Sequence, residues 1–384
     1  MRYAEMEEFV NQVVFKMFGM RPLFEIQPSS FWKPLVNVCY QLLLLGLLIA
    51  LQFFIYRMHL EQDFAGWFTS TTNLLTCVVI LIQSLVSSRP LARLLLELRE
   101  IETILGTSFF STNASQNGPG ARYSRTFYAV YAIGLLRGFF RTFLMIQLNV
   151  RSFWLALLLL TPALFILVRL NQQIQLTELI GTRLRCIADE LSLLTGSADI
   201  GALGQASIAT ANTASGGHKM FRQRCHSIDV LQRTNCIFGR LQGCLHVLND
   251  TFGWSTAAIV VCLFIFITFQ LRYPFSPLPL YASLIDVLHA IICLFALCHC
   301  CAAAASKVAD IERALLQPYH CQDSSALQDQ INHWIVRLQL HRFVFTANGL
   351  YAIDYGLFCS TLAASATYIV IMFQFDQKSP EVAE

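Results

Sequence analysis

The 384-residue chain is 55% hydrophobic and 13% charged, with a mean hydropathy of +0.53 and a formal net charge of +3. Soluble domains carry about 25% charged residues, so the composition excludes an ordinary soluble protein. No nucleic-acid partner is expected.

Residues 1–34 hold Glu5, Glu7, Glu8 and Lys16 and no short apolar core before a small-residue cleavage site, so they read as an N-terminal segment without a cleavable signal. Apolar runs follow at Leu35–Tyr56, Trp67–Ser88, Thr126–Leu148, Ser152–Leu170, Trp254–Leu271, Tyr281–Ala304 and Leu350–Phe373. Each is near the roughly 20 residues that cross about 30 Å of hydrocarbon as a helix. The period-2 alternation of a barrel is absent. The expected fold is therefore all-α, a polytopic membrane protein with seven transmembrane helices.

The segments between the runs are periodic on one side only. Leu91, Leu94, Leu95, Leu98, Ile101 and Leu105 form a helical stripe after the second run. Ile180, Leu184, Ile187, Leu191 and Leu194 continue one after the fourth. Leu231, Phe238, Leu241, Leu245 and Leu248 precede the fifth, and Leu327, Ile331, Trp334, Ile335 and Leu338 lie before the seventh. These stripes predict a helical anchor bundle beyond the membrane. The expected units are 1–34, spans one to four with their extensions over 35–194, and spans five and six over 218–316. An amphipathic helix over 325–345 and a last span over 350–375 complete the chain. Residues 195–217, rich in Gly, Ala, Ser and Thr with no stripe, read as a mobile loop.

Basic residues set the orientation. The side with the long connections carries 21 Lys and Arg and the other side four; Arg137 and Arg141 lie within the third run. This bias predicts a cytoplasmic N-terminus and an extracellular C-terminus. The sequons at Asn113 and Asn249 then fall on the cytoplasmic side or at its edge and are expected to stay unglycosylated.

The 13 cysteines are scattered and form no secreted disulfide framework. Adjacent helical positions diverge around the axis, so Cys298-His299-Cys300-Cys301 reads as packing and not as a metal site. No metal and no cofactor are expected. Asp354, early in the seventh run, either draws cations or caps a helix. Asn348-Gly349 predicts a break before it.

The chain's closing stretch gives the most specific signal. Thr367-Tyr368, five apolar residues, then Gln374-Phe375 resembles the signature that closes the last span of insect gustatory receptors. The detailed match covers mainly the last 40 or so residues. The resemblance implies a ligand-gated cation channel in the plasma membrane of sensory neurons, activated by a small-molecule tastant and not an enzyme. It implies four subunits, of one kind or of related kinds, around a pore lined by the last helix. Thr367 or Tyr368, Ile371 and Phe375 share a face at spacings of three and four. Turned to a fourfold axis, Ile371 and Phe375 would form apolar rings that exclude water and ions, with Gln374 beside them.

The same resemblance implies a ligand pocket among spans two to six in the outer half of the membrane. Candidates at that depth are Trp67, Thr71, Arg141, Gln147, Trp154, Asp286 and His289. Arg141 and Asp286 lie at matching depths and either pair with each other or face a ligand. A G-protein-coupled receptor is the alternative, against which stand the opposite orientation and the missing motifs of spans three and seven. No internal repeat suggests a transporter.

Overall fold

The structure, a computed structural model, describes residues 13–20, 32–59, 64–109, 125–148, 152–208, 216–272, 280–316 and 325–378. Nine long helices run through them: α1 (Trp32–His59), α2 (Phe64–Val86), α3 (Ser88–Phe109), α4 (Arg125–Leu148), α5 (Ser152–Ile208), α6 (Gly216–Arg272), α7 (Leu280–Leu316), α8 (Ser325–Leu340) and α9 (Tyr355–Lys378). The only β-structure among the described residues is an isolated bridge, Thr346 to Ala352.

Five helices carry stretches long and apolar enough to cross a membrane: Leu35–Phe53, Phe68–Val86, and those within Ile228–Gln270, Ser283–Leu316 and Tyr355–Gln374. In α4 the stretch Tyr128–Phe140 is apolar as well. At 57 residues each, α5 and α6 are about 85 Å long. That is well over twice the ~30 Å of hydrocarbon, so both continue beyond it.

Beyond the membrane the stripes meet. Leu91, Leu94, Leu98, Ile101 and Leu105 of α3 are buried, as are Ile180, Leu184, Ile187 and Leu191 of α5. Leu231, Phe238, Leu241, Leu245 and Leu248 of α6 join them, with Ile331, Trp334 and Leu338 of α8. Leu96, off the stripe, is exposed. Charged residues pin the bundle at its edges. Arg240 of α6 reaches Glu100 at 2.6 Å and Glu97 at 3.6 Å on α3. Arg183 of α5 bonds Glu102 at 2.7 Å; burial pulls its pKa down and Glu102 pushes back.

Small residues let the long helices approach closely. A Cβ on Gly181 of α5 would lie 3.1 Å from Ala304 Cβ of α7. Cys300 and Cys301 are buried along this seam as free thiols, and Cys298 is buried toward the start of α9. No group of three His, Cys, Asp or Glu suited to a metal occurs among the described residues.

Three boundaries differ from expectation. The amphipathic helix expected over 325–345 ends at Leu340, and Phe343 and Phe345 already belong to the loop that follows. The stretch over 195–217 begins as helix: α5 runs on to Ile208 and α6 starts at Gly216, with 209–215 outside the described residues. Extending a formed helix costs far less than nucleating one, and this run contains several alanines, the best helix former. The last helix starts at Tyr355 and not at Leu350. Asp354 Oδ1 accepts the Leu357 backbone N–H at 3.0 Å, so Asp354 is its N-cap.

Candidate functional site

A cavity of about 50 Å³ opens between α2, α4, α5, α6 and α7. Most of its lining is apolar, including Ile166 and Leu167 of α5 and Ile259 and Phe266 of α6. The polar exceptions are Asn73, Arg137, His289 and the thiols of Cys262 and Cys293. A hollow with an apolar lining and a few converging polar groups is the usual form of a small-molecule site.

Arg137 dominates the polar end. Its Nε donates to Asp286 Oδ1 at 2.5 Å and its Nη1 to His289 Nδ1 at 3.2 Å. The guanidinium carbon also sits 5.3 Å from the centre of the Phe266 ring. Asp286 and His289 are buried on one face of α7, three residues apart. A charge in hydrocarbon is costly unless paired, which accounts for the clustering. Asp286 is thus bonded to Arg137, one helical turn from Arg141, whose side chain lies outside the described residues.

The other pocket candidates fare differently. Thr71 is half-buried on α2 but is not a lining residue; Asn73, two positions on, is. Trp67, Gln147 and Trp154 occupy helical positions, with side chains outside the described ones. Sequence reasoning missed Asn73, Cys262, Phe266 and Cys293. Arg137 was visible as an intramembrane charge sharing a face with Arg141.

A second polar centre lies between α5 and α6, toward the basic side. Arg169, wholly buried, donates from Nε to Ser255 Oγ at 3.1 Å, from Nη1 to Gln172 Oε1 at 2.9 Å and from Nη2 to the Thr251 carbonyl at 2.9 Å. Its guanidinium carbon stacks 3.9 Å from the Phe252 ring centre. Gln83 of α2 donates to the Asp250 carbonyl at 3.1 Å and accepts the Ser255 N–H at 2.5 Å. Residues 250–256 of α6 are therefore held from both α2 and α5.

The same turns of α6 seat the loop before α9. Asn249 Nδ2 donates to the Val344 carbonyl at 3.1 Å, and its Oδ1 accepts the Thr346 N–H at 3.1 Å. This bonding gives Asn249, one of the two sequons, a structural role; Asn113 is outside the described residues. A Cβ on Gly253 would fall 2.4 Å from the Asn348 nitrogen, so only glycine lets the loop lie this close. The loop turns at Asn348 (φ +51°) and Gly349 (φ +75°), in the left-handed region. Bonds from Ala347 N to the Tyr351 carbonyl (3.0 Å) and from Ile353 N to the Phe345 carbonyl (2.9 Å) close it. Phe343 and Phe345 anchor it in the bundle beside Phe238.

From this loop α9 departs largely uncovered. Ile371 is 40% exposed and Tyr368 51% exposed, and Gln374 is exposed. The Tyr368 ring meets Phe264 of α6 edge-on at 5.8 Å. Thr367 Oγ1 bonds back to the Ala363 carbonyl at 2.9 Å. Phe375 is helical, with its side chain outside the described residues. Val370 and Phe373, off the proposed pore stripe, are exposed as well, at 55% and 50%.

Residues 11–379 match the family model described as 7tm Chemosensory receptor. No curated protein matches by sequence. The fold is similar to the insect olfactory receptor OR5 from Machilis hrabei, with a TM-score of 0.66 and 12% identity over 98% of this chain and 100% of that one. It is also similar to the same receptor in complex with eugenol, with a TM-score of 0.63 and 11% identity over 97% and 99%. Length, helix order and fold thus agree over nearly the whole chain. This multi-pass, all-α membrane protein belongs to the 7tm chemosensory receptor family, a family of receptors and not of enzymes.

Proposed function

We propose that the protein is a gustatory receptor that works as a ligand-gated cation channel in the plasma membrane of sensory neurons. A small tastant enters the cavity at Arg137 and His289, and the last helices of four subunits, identical or related, line the pore. The basic side, with the N-terminus, is cytoplasmic, as the 21 to 4 bias favours. The taste assignment rests on the Thr367-Tyr368…Gln374-Phe375 signature.

One observation carries the channel reading: a single helix, α6, lines the cavity with Ile259, Cys262 and Phe266 and seats the loop before α9 with Asn249 and Gly253. A ligand that shifts α6 would thereby shift the start of the pore helix. The complex of the Machilis receptor with eugenol supports a small-molecule ligand.

The test is expression in cells, alone and with related subunits, with current recorded against a tastant panel. Cation current that appears within milliseconds and persists in excised patches without nucleotide supports the channel. Responses that need a G protein, together with surface labelling of an epitope before Met1, would return the coupled-receptor alternative.

A further inference from the structure

We propose that the cavity selects small neutral molecules whose polar group is an acceptor oxygen, such as a ketone, aldehyde or ester, and that Arg137 is the donor that reads it. This deepens the reading of the cavity as the ligand site and rests on it. The argument is a census of donors and acceptors on the wall. Arginine has only donors. With Nε on Asp286 and Nη1 on His289, the Nη2 of Arg137 takes no partner among the described residues.

The bond from Arg137 also fixes its neighbour. An arginine can only donate, so His289 Nδ1 accepts, and the proton of the neutral ring is on Nε2. That nitrogen lies 3.6 Å from Cys293 Sγ. On α2, Asn73 Oδ1 accepts the Cys262 S–H at 3.0 Å, which leaves the Asn73 amide N–H groups. Asp286 stands behind Arg137 and is not a lining residue.

Asn73 and Arg137 thus present N–H, the His289 Nε2–H is directed to Cys293 Sγ, and the remaining acceptors on the wall are thiol sulfurs, which accept weakly. A carbonyl oxygen gains a charge-assisted bond here. An amine would give up its bonds to water, find no strong acceptor, and bring a like charge to the guanidinium.

The probe set is tritiated acetophenone, α-methylstyrene, which replaces its C=O by C=CH2, and 1-phenylethylamine. Saturation and competition binding are measured on membranes holding the full chain. Acetophenone is expected to bind on the order of tenfold more tightly than α-methylstyrene, and the amine is expected not to compete. Arg137→Met combined with Asp286→Leu removes both charges together. It should bring the two neutral probes to equal affinity. Equal affinities in the unmodified protein, or a preference that survives the double substitution, overturn the proposal. The comparison on the unmodified protein needs no variant, so a double variant that fails to fold does not shield it. Ala290→Phe, which fills the cavity, separates the two readings. If both probes bind that variant as before, the cavity is not the ligand site; if both are lost, the site stands and only the donor assignment is in question. No saturable binding of either neutral probe to the unmodified protein overturns the proposal.

Discussion

Helices α6 and α9 are both apolar, but the chain treats them in opposite ways. In the most apolar part of α6, 61% of the residues are buried within the chain; in α9 only 11% are. The first is the hub of a packed bundle, touched by α2, α5, α7 and the loop before α9. The second leaves a capped, well-defined start, turns Thr361 and Ser365 inward, and offers most of its remaining surface to whatever surrounds it. Burial tells where stability resides, and its absence tells where function depends on something outside the chain, here lipid and, on the proposed reading, three more copies. Substitutions should therefore cost stability in the bundle and change conduction in α9.

The largest effect is expected at Trp334, fully buried against Phe238 with ring centres 6.3 Å apart. Trp334→Ala leaves a cavity that the long helices cannot close and should cost about 3–5 kcal/mol. Thermal stability and surface expression of the purified or tagged chain check this. A normal melting curve would mean that the bundle does not carry the fold.

Gly253→Ala comes next. The new methyl would meet backbone of the loop, which cannot swing aside as a side chain can. Overpacking of this kind costs about 1–3 kcal/mol. Because the displaced part is the lead into α9, the dose response should shift along with stability. Asn249→Ala removes two bonds to the same loop and should cost about 1–2 kcal/mol, with a shift in the same direction. A dose response unchanged in both variants would uncouple the loop from gating.

The smallest cost in stability, within about 0.5 kcal/mol, is expected for Ile371→Ser on exposed α9. Its effect on function should be the reverse of small. Wetting an apolar constriction favours conduction without ligand, so basal cation current should rise, and Phe375→Ser should do the same. Substituting Gln374 should alter selectivity more than ligand potency. Val370 and Phe373 are exposed too, so their Ser variants show whether the Ile371 face is special or any uncovered face of α9 responds.

Much of this architecture was legible because periodicity is a strong signal. The stripes of α3, α5, α6 and α8 follow from spacing alone, and Asn348-Gly349 announced the break before α9. The run after Thr195 was harder, because helix there follows from continuity with α5 and not from a stripe. At the site, Arg137 and Arg141 share one face, and that Arg137 reaches Asp286 depends on helix tilt, which spacing does not encode. Asn73, Cys262 and Phe266 looked like ordinary span residues, since a cavity wall has the same composition as a packed helix. The sequon reading of Asn249 drew attention from its hold on the loop.

If the Ile371 face of α9 lines a ligand-gated pore, as proposed, a cysteine there must be within reach of reagents in the pore. The experiment is Ile371→Cys, with the exposed Cys359 of the same helix replaced by Ser. Current is recorded while a membrane-impermeant thiol reagent is applied from outside, with and without agonist. The reagent should change the current irreversibly, and faster when agonist is present, while the background carrying Ile371 is insensitive. A surface-expressed, agonist-responsive Ile371→Cys channel whose current ignores the reagent in both conditions would contradict the proposal.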